Sequence, residues 1–367
     1  MDKSLLELRH LSFELDEKFN NSLRLLDNTV ALRMHLDTKH YSPEATGPLL
    51  RAMYAGIPEF APSGEYSAES MMTKTKELFD AAIKYVAEFL ETLSDYYEKI
   101  NLPLTILEQK VVKANQLKYK TLPEHVDGSK VDLGRRTMYL MHGQKPVRNV
   151  SNLREHINDY VVLLHKFEKL IDTSVVNALM SIGNDDLSNI NGTLSKSYNL
   201  LGLDNWKRAL GLSKIKTGKY DIFTSKPYLG NKVLTLTHSD VNSNNPFSWL
   251  SLRMAVDESI MVSLKGKTEL VRLKPREMNI VIDSAASLTT GLRDFNNNVS
   301  QNNLKRISKS LVASLKKSSE MSSDTFEKVV SSTKSLMYIY KTGTESLMSS
   351  GFQVADATVH YIFTSLK

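Results

Sequence analysis

The first part of the chain has the apolar spacing of one long helix. Apolar residues recur every three or four positions from Leu5 to Val30, and charged residues such as Glu7 and Arg9 stand between them. That spacing gathers the apolar side chains on one stripe of an amphipathic helix. Because proline cannot continue a helix and favours an extended residue before it, we expect this helix to end near Pro43.

Two further segments repeat this spacing. A second helix is predicted from about residue 67 or 70, and Pro103 is expected to separate it from a shorter helix at 106–117. A third helix is predicted to open at Asn152, which stands three residues before Glu155 in the spacing of a capping box, and to run to about residue 182.

The carboxy-terminal part of the chain is also helical in pattern. After Pro275 the helical spacing continues as far as an Asn-rich break at 296–298. Additional helices are predicted at 205–212, 301–317 and 324–341, and a final one reaches residue 363.

Between these helical parts, one region is β-prone. Residues 220–224 and 233–237 are rich in strand-forming residues and flank Leu229-Gly230-Asn231, which predicts a hairpin. Residues 259–273 around Gly266 are predicted as a second hairpin or a helix. The predicted fold is therefore mainly α: a helical bundle with a small β-hairpin insertion.

Proline and glycine mark the boundaries between regions. Several of them fall at 46–66, predicted as a loop, and at 121–150, predicted as a long connector. We therefore predict five regions: an N-terminal helical region (1–120), a basic connector (121–150), a central helical region (151–215), a small β-containing insertion (216–275) and a C-terminal helical region (276–367).

Composition narrows the classes of protein. The 367-residue chain has no cysteine, which excludes disulfides, thiolate metal sites and a cysteine nucleophile. No apolar run reaches the roughly 18 to 20 residues that a membrane-spanning helix needs, and the amino terminus lacks the layout of a signal peptide. We expect a protein without a membrane span, made in a cytoplasm.

No standard catalytic or nucleotide-binding motif is present. The chain lacks a Walker-type loop, a glycine-rich dinucleotide fingerprint, a His-Glu-x-x-His motif and a nucleophile elbow. Residues 184–189 resemble a calcium loop but lack its glycine and its closing glutamate. We therefore predict a non-enzymatic protein with no catalytic residue, no metal site and no cofactor.

Positive charge is concentrated in two stretches. The net charge is +6, and residues 99–154 hold eleven Lys and Arg against four acids, while residues 299–341 hold eight against three. Such stretches can follow DNA phosphates by displacing counterions, or they can be ordinary solvated faces of helices and loops. The residues predicted to contact double-stranded DNA weakly and non-specifically are Lys130, Arg135, Arg136, Lys145 and Arg148.

Four segments together resemble internal head proteins of large tailed bacteriophages. These segments are Leu5-Leu6-Glu7-Leu8-Arg9, Pro48-Leu49-Leu50-Arg51-Ala52-Met53-Tyr54, the helical stripe at 79–97, and Asp356-Ala357-Thr358-Val359-His360-Tyr361-Ile362-Phe363. The patterns to which these segments belong extend over about half of the chain.

The resemblance implies a protein of the capsid interior, packaged beside the genome with other virion proteins and in some cases delivered to the host with the DNA. It also implies, in some cases, trimming by a maturation protease, which often cuts after a small residue, any residue and glutamate. Ser63-Gly64-Glu65 and Ser67-Ala68-Glu69 have this form, so Glu65 and Glu69 are predicted cleavage positions. The alternative prediction is a helical scaffold or adaptor module that binds a protein partner through an exposed amphipathic face.

Overall fold

The computed structural model describes residues 3–37, 68–121, 129–216, 218, 220–239, 246–247, 250–257 and 269–367. The helices are α1 (Lys3–Asp37), α2 (Ala68–Thr121), α3 (Val150–Leu170), α4 (Val176–Asn184), α5 (Ile190–Leu201), α6 (Leu203–Ala209), α7 (Pro275–Asn297), α8 (Leu304–Ser318) and α9 (Ser323–Ser365). The strands are β1 (Lys130–Asp132), β2 (Met141–His142), β3 (Lys145–Pro146), β4 (Ser213–Lys216), β5 (Asp221–Thr224), β6 (Lys232–His238), β7 (Ser251–Val256) and β8 (Glu269–Val271). The predicted mainly α fold with a small β element is confirmed.

The amphipathic stripes meet in one apolar core. Helix α1 lies along α2, where the rings of Phe19 and Phe89 are 4.9 Å apart and the Ser22 hydroxyl donates to the Tyr85 carbonyl at 3.1 Å. Helices α3, α7 and α9 continue the same cluster of buried side chains. Burial of these stripes stabilises helices that would be marginal in isolation.

Helix α2 runs through Pro103, so the predicted break there is wrong. The proline removes one backbone donor, a defect that costs about 3 kcal/mol inside a helix. Leu104, Leu107 and Val111 are buried beyond it in the same core cluster as Leu93. Their combined burial outweighs the local penalty, and the helix continues.

The N-cap of helix α3 is Asn149, three residues before the predicted cap Asn152. The side chain of Asn149 accepts hydrogen bonds from the backbone N–H groups of Ser151 and Asn152, at 2.8 and 3.4 Å. Asn149 therefore satisfies the free donors of the first turn, and Asn152 lies inside the helix.

Two predicted breaks in the helical pattern are absent. The Asn-rich segment after α7 forms a π-helical turn, Asn298–Asn303, that leads directly into α8. The helix predicted at 324–341 and the final helix predicted to reach residue 363 form the single helix α9. The first break is expected from the asparagines. Buried side chains continue across both positions, from Phe295 to Val299 at the first and from Tyr340 to Leu347 at the second.

The four-stranded antiparallel sheet has the order β4-β5-β6-β7. The predicted hairpin is confirmed as β5 and β6, with Asp221 opposite His238. The turn before β6 uses Gly230 and Asn231, whose φ angles of 74° and 54° suit glycine and asparagine.

The second predicted hairpin lies largely outside the described residues, which resume at 269. The strand β8 that follows pairs antiparallel with β1, so that Leu270 lies opposite Val131. The described part of this segment therefore joins a distant strand and does not form a local hairpin.

The predicted basic connector is a folded module over its described part, residues 129–150. It contains β1, a 3-10 helix at Gly134–Leu140 and the small hairpin of β2 and β3. Leu133 and Leu140 are buried in the main core, and the 3-10 helix contacts α9. These apolar residues anchor the segment, so residues 129–150 pack against the folded body.

Candidate functional site

Three of the five predicted DNA-contact residues are exposed on the module 129–150. Arg135 lies on the 3-10 helix, Lys145 on β3 and Arg148 in the segment before α3. None of the three forms an ion pair with a carboxylate among the described residues. Their charges are therefore available to an anionic partner.

The other two predicted residues are engaged within the protein. The Lys130 ammonium lies 3.0 Å from a carboxylate oxygen of Glu269 across the β1–β8 pair. The Arg136 guanidinium donates to Asp356 of α9 at 2.8 Å, and the Asp356 side chain is only 16% exposed. These contacts attach the module to the body, so Arg136 has a structural contact that the sequence did not reveal.

A second basic stripe lies on the outer face of α8. Lys305, Lys309 and Lys316 are exposed and have no ion-pair partner in the described part of the chain. Their spacings of four and seven residues place them on one face, separated by about 6 Å and about 10 Å along the helix axis. These three lysines belong to the basic stretch at 299–341, and their helical spacing is the sequence signal that places them on one face.

Between α3 and the segment 225–228 lies a cleft with a volume of about 470 Å³. Helix α3 contributes Asp159 and Lys166, the end of α6 contributes Arg208, and the segment between β5 and β6 contributes Lys226. Arg208 donates to the Asn205 side chain at 2.7 Å. The described lining residues include three Lys or Arg side chains and one carboxylate.

Two histidines stack at one end of this cleft. The rings of His142 from β2 and His156 from α3 lie 4.2 Å apart with an interplanar angle of 22°. Partial burial lowers the pKa of His156 and the neighbouring His142 lowers it further, while Asp159 and Glu155 oppose these effects. At neutral pH the geometry favours an uncharged imidazole at His156.

Elements far apart in the chain supply the lining of this cleft. His142, His156, Arg208 and Lys226 come from four different elements. No local spacing connects them, and the sequence therefore carried no signal for this site.

The Asp-rich segment after α4 has a structural role. Asp186 accepts from the Ser188 backbone N–H at 2.9 Å and caps a short 3-10 helix, while Asp185 pairs with Lys196 at 2.8 Å. Hydrogen bonding to Lys196 and Ser181 lowers the pKa of Asp185. Across the ranges that the structure describes, no group of three or more His, Cys, Asp or Glu is arranged to hold a metal ion.

The two predicted cleavage positions differ in setting. Glu65 lies outside the described residues. Glu69 is in the first turn of α2, where the backbone is helical and not the extended form that a protease needs. Cleavage after Glu69 would require this turn to unwind, and both positions stay predictions.

Because His238 is buried, the free energy of unfolding should depend on pH. Burial lowers the pKa of His238, although the hydrogen bond between its Nδ1 and the Ser239 carbonyl opposes the shift. The unfolded chain therefore binds this proton at a higher pH than the folded chain. Stability is complete above the unfolded pKa of about 6.5 and is lost as pH falls through the folded pKa.

We expect the free energy of unfolding, measured with urea, to fall between about pH 7 and about pH 5. His238→Gln should reduce this fall, and His165→Gln, at an exposed position of α3, serves as the control. Part of the fall should remain in both variants, because burial also lowers the pKa of His156 and His360. An identical pH profile for His238→Gln and the unmodified protein would contradict the assignment.

None of the helices in the described ranges combines the length and the apolar character that crossing a membrane requires. Comparison of the chain with protein-family models, with curated proteins and with solved structures finds no match.

Proposed function

We propose that the chain is a non-enzymatic internal head protein of a large tailed bacteriophage. In this proposal it is made in the host cytoplasm, packaged in the capsid with the genome and other virion proteins, and able to enter the host with the DNA. The observation that carries the proposal is a set of exposed cations on the folded module 129–150 that have no ion-pair partner within the described ranges. It consists of Arg135, Lys145 and Arg148.

These cations suit weak, sequence-independent contact with duplex DNA. Lysine and arginine side chains that meet phosphates release condensed counterions, and the affinity then falls as salt rises. Phosphate contacts carry no base information, so a protein of this kind accepts any packaged sequence. The lysine stripe of α8 offers further contacts of the same chemistry.

Neutralisation of the module should weaken DNA binding and reduce its salt dependence. We expect the triple variant Arg135→Gln, Lys145→Gln and Arg148→Gln to reduce the slope of log affinity against log salt by about 2.7, roughly 0.9 for each lost phosphate contact. Fluorescence anisotropy of a labelled duplex, measured between about 50 and about 200 mM salt, gives this slope.

The matched control carries the same change of net charge elsewhere. It combines Lys84→Gln, Lys113→Gln and Lys169→Gln, which are exposed positions on α2 and α3. Equal losses in the two triple variants would mean that only net charge matters, and the module would lose its assignment as a DNA contact.

The location in the particle is tested by mass spectrometry. Purified particles of the encoding phage are treated with protease and nuclease to strip the surface, and are then opened. We expect peptides of this chain in the opened particles, with a new terminus after Glu65 or Glu69 if trimming occurs. Absence of its peptides from the opened particles would overturn the proposal.

A second candidate, a scaffold that binds a protein partner, is favoured by the open edge of the four-stranded sheet. All four residues of β4 are exposed, and the Ile215 side chain is 63% exposed. A partner strand can add to such an edge. Capture of one stoichiometric partner by the natural chain, but not by Ile215→Asp, would support this function over packaging.

A further inference from the structure

The cleft between α3 and the segment 225–228 has the size of a small-molecule site. Its volume of about 470 Å³ lies within the range of roughly 300 to 1,000 Å³ that is typical of ligand pockets. Val162, Leu210 and Pro227 give it an apolar part, beside the cationic part formed by Lys166, Arg208 and Lys226. A ligand that fits both parts has an apolar body and an anionic group.

Among the residues that the structure describes, no carboxylate forms an ion pair with the cations of the cleft. Lys166 and Lys226 are exposed to the cleft without an ion pair among the described residues, and the contact recorded for Arg208 is to the neutral amide of Asn205. Asp159 is the one carboxylate among the described residues of the lining. Uncompensated charge in a concave site attracts anions more strongly than the same charge on a flat surface.

The histidine pair adds a response to pH. His156 is faced by Glu155 and Asp159 on its own helix and by His142 from β2. Protonation of the imidazole is opposed by burial and by His142. An anion in the cleft would favour the protonated form, and by linkage a lower pH would favour the anion.

We infer that this cleft binds a small organic phosphate, with the phosphate group held by Lys166, Arg208 and Lys226 and the organic part placed against Val162, Leu210 and Pro227. This inference does not depend on the proposed function. Arginine suits such a ligand because its planar donors match phosphate oxygens, and two lysines supply further charge.

Calorimetric titration of the full chain tests the inference with adenosine 5′-monophosphate as the probe. We expect the nucleotide to bind, uncharged adenosine to bind at least about tenfold more weakly, and inorganic phosphate to compete. The double variant Lys166→Gln and Arg208→Gln should lose at least about tenfold in affinity, since two charge-assisted contacts are removed. Lys169→Gln, exposed on the same helix but outside the cleft lining, should bind as the natural chain does.

The pH arm uses sulfate, whose charge does not change near neutrality, so that any pH dependence comes from the protein. We expect tighter binding of sulfate at about pH 5.5 than at about pH 7.5, and a smaller difference in His156→Gln. Circular dichroism and the thermal midpoint verify that each variant is folded.

Three results would overturn the inference. The first is that neither the nucleotide nor phosphate binds at about pH 6. The second is that the folded double variant binds the nucleotide with unchanged affinity. The third is that duplex DNA displaces the nucleotide and inorganic phosphate does not. The third result would assign the cleft to the DNA-binding surface. The DNA-binding experiment on the triple variant of the module tests the proposed function separately, because none of its three residues lines the cleft.

Discussion

Replacement of Lys341 by methionine is expected to lower the free energy of unfolding by about 3 kcal/mol, the scale measured when one partner of a buried ion pair is removed. Lys341 lies on α9 and is 2% exposed. Its ammonium contacts Glu345 at 2.9 Å and also Asp16 of α1, and it lies 5.4 Å from the ring centre of Phe19. Methionine keeps the volume and removes the charge.

The physical reason is the carboxylate left behind. Glu345 is 13% exposed, so its charge would lose a close partner in a site with little water. Burial of Lys341 opposes its charged form, but Glu345 and Asp16 outweigh burial and raise its pKa. The contact between Lys341 and Asp16 links α9 to α1, while Glu345 on the same helix as Lys341 keeps the buried ammonium charged.

Urea unfolding measures this effect against a matched control. Lys18→Met removes a half-exposed i,i+4 pair with Glu14 and an exposed hydrogen bond to Thr92, and should cost about 1 kcal/mol or less. Adding Glu345→Gln to Lys341→Met should restore part of the lost stability, because the orphaned charge is removed. Equal costs for Lys341→Met and Lys18→Met would show that burial of the pair contributes nothing.

Replacement of Gly343 by valine is the second large effect, with an expected cost of about 3 kcal/mol from overpacking. A Cβ atom at Gly343 would lie 2.6 Å from the Cζ atom of Phe167, closer than real side chains approach. Phe167 is fully buried, and its ring meets Trp206 and Phe295 with centroid distances of 6.2 Å each. The ring is held in place, so the backbone of α9 would have to shift.

A double-mutant cycle shows whether the two residues share one space. Phe167→Ala alone should cost about 4 kcal/mol through the cavity that it leaves. Combined with Gly343→Val, the total cost should be lower than the sum of the single costs by about 2 kcal/mol, because the new side chain fills part of that cavity. Gly218→Val, at a position with nothing within 4 Å, controls for the substitution itself. Simple additivity in the cycle would contradict a direct contact.

The apolar spacing predicted the helices whose core-facing residues are apolar. It failed where a helix continues through a residue that usually ends helices, because the residues beyond are buried. The stripe from Leu5 to Val30 became α1, since regular apolar spacing needs only one neighbouring surface. Pro103 was expected to end a helix, but the apolar residues beyond it are buried. Helix α5 was not predicted, although its buried residues Ile190, Leu194 and Leu201 have helical spacing, because the Asn, Gly and Ser residues between them are typical of loops.

Some residues of the candidate sites can be found from the local sequence, and others only from the tertiary structure. Exposed Arg135, Lys145 and Arg148 follow from a local excess of basic residues, whereas Arg136 has a partner in α9 that no spacing indicates. The cleft was outside the reach of sequence reasoning, because its charged residues come from separate elements.

By itself, the sequence determined a mainly helical chain with one β-rich region, no cysteine chemistry and two basic stretches, because composition and short-range periodicity are properties of neighbouring residues. Only the tertiary structure decided that β1 pairs with β8, that Lys341 is a buried cation, and that an anion-attracting cleft exists. Each of these depends on residues far apart in the chain, whose approach is set by the packing of the whole core.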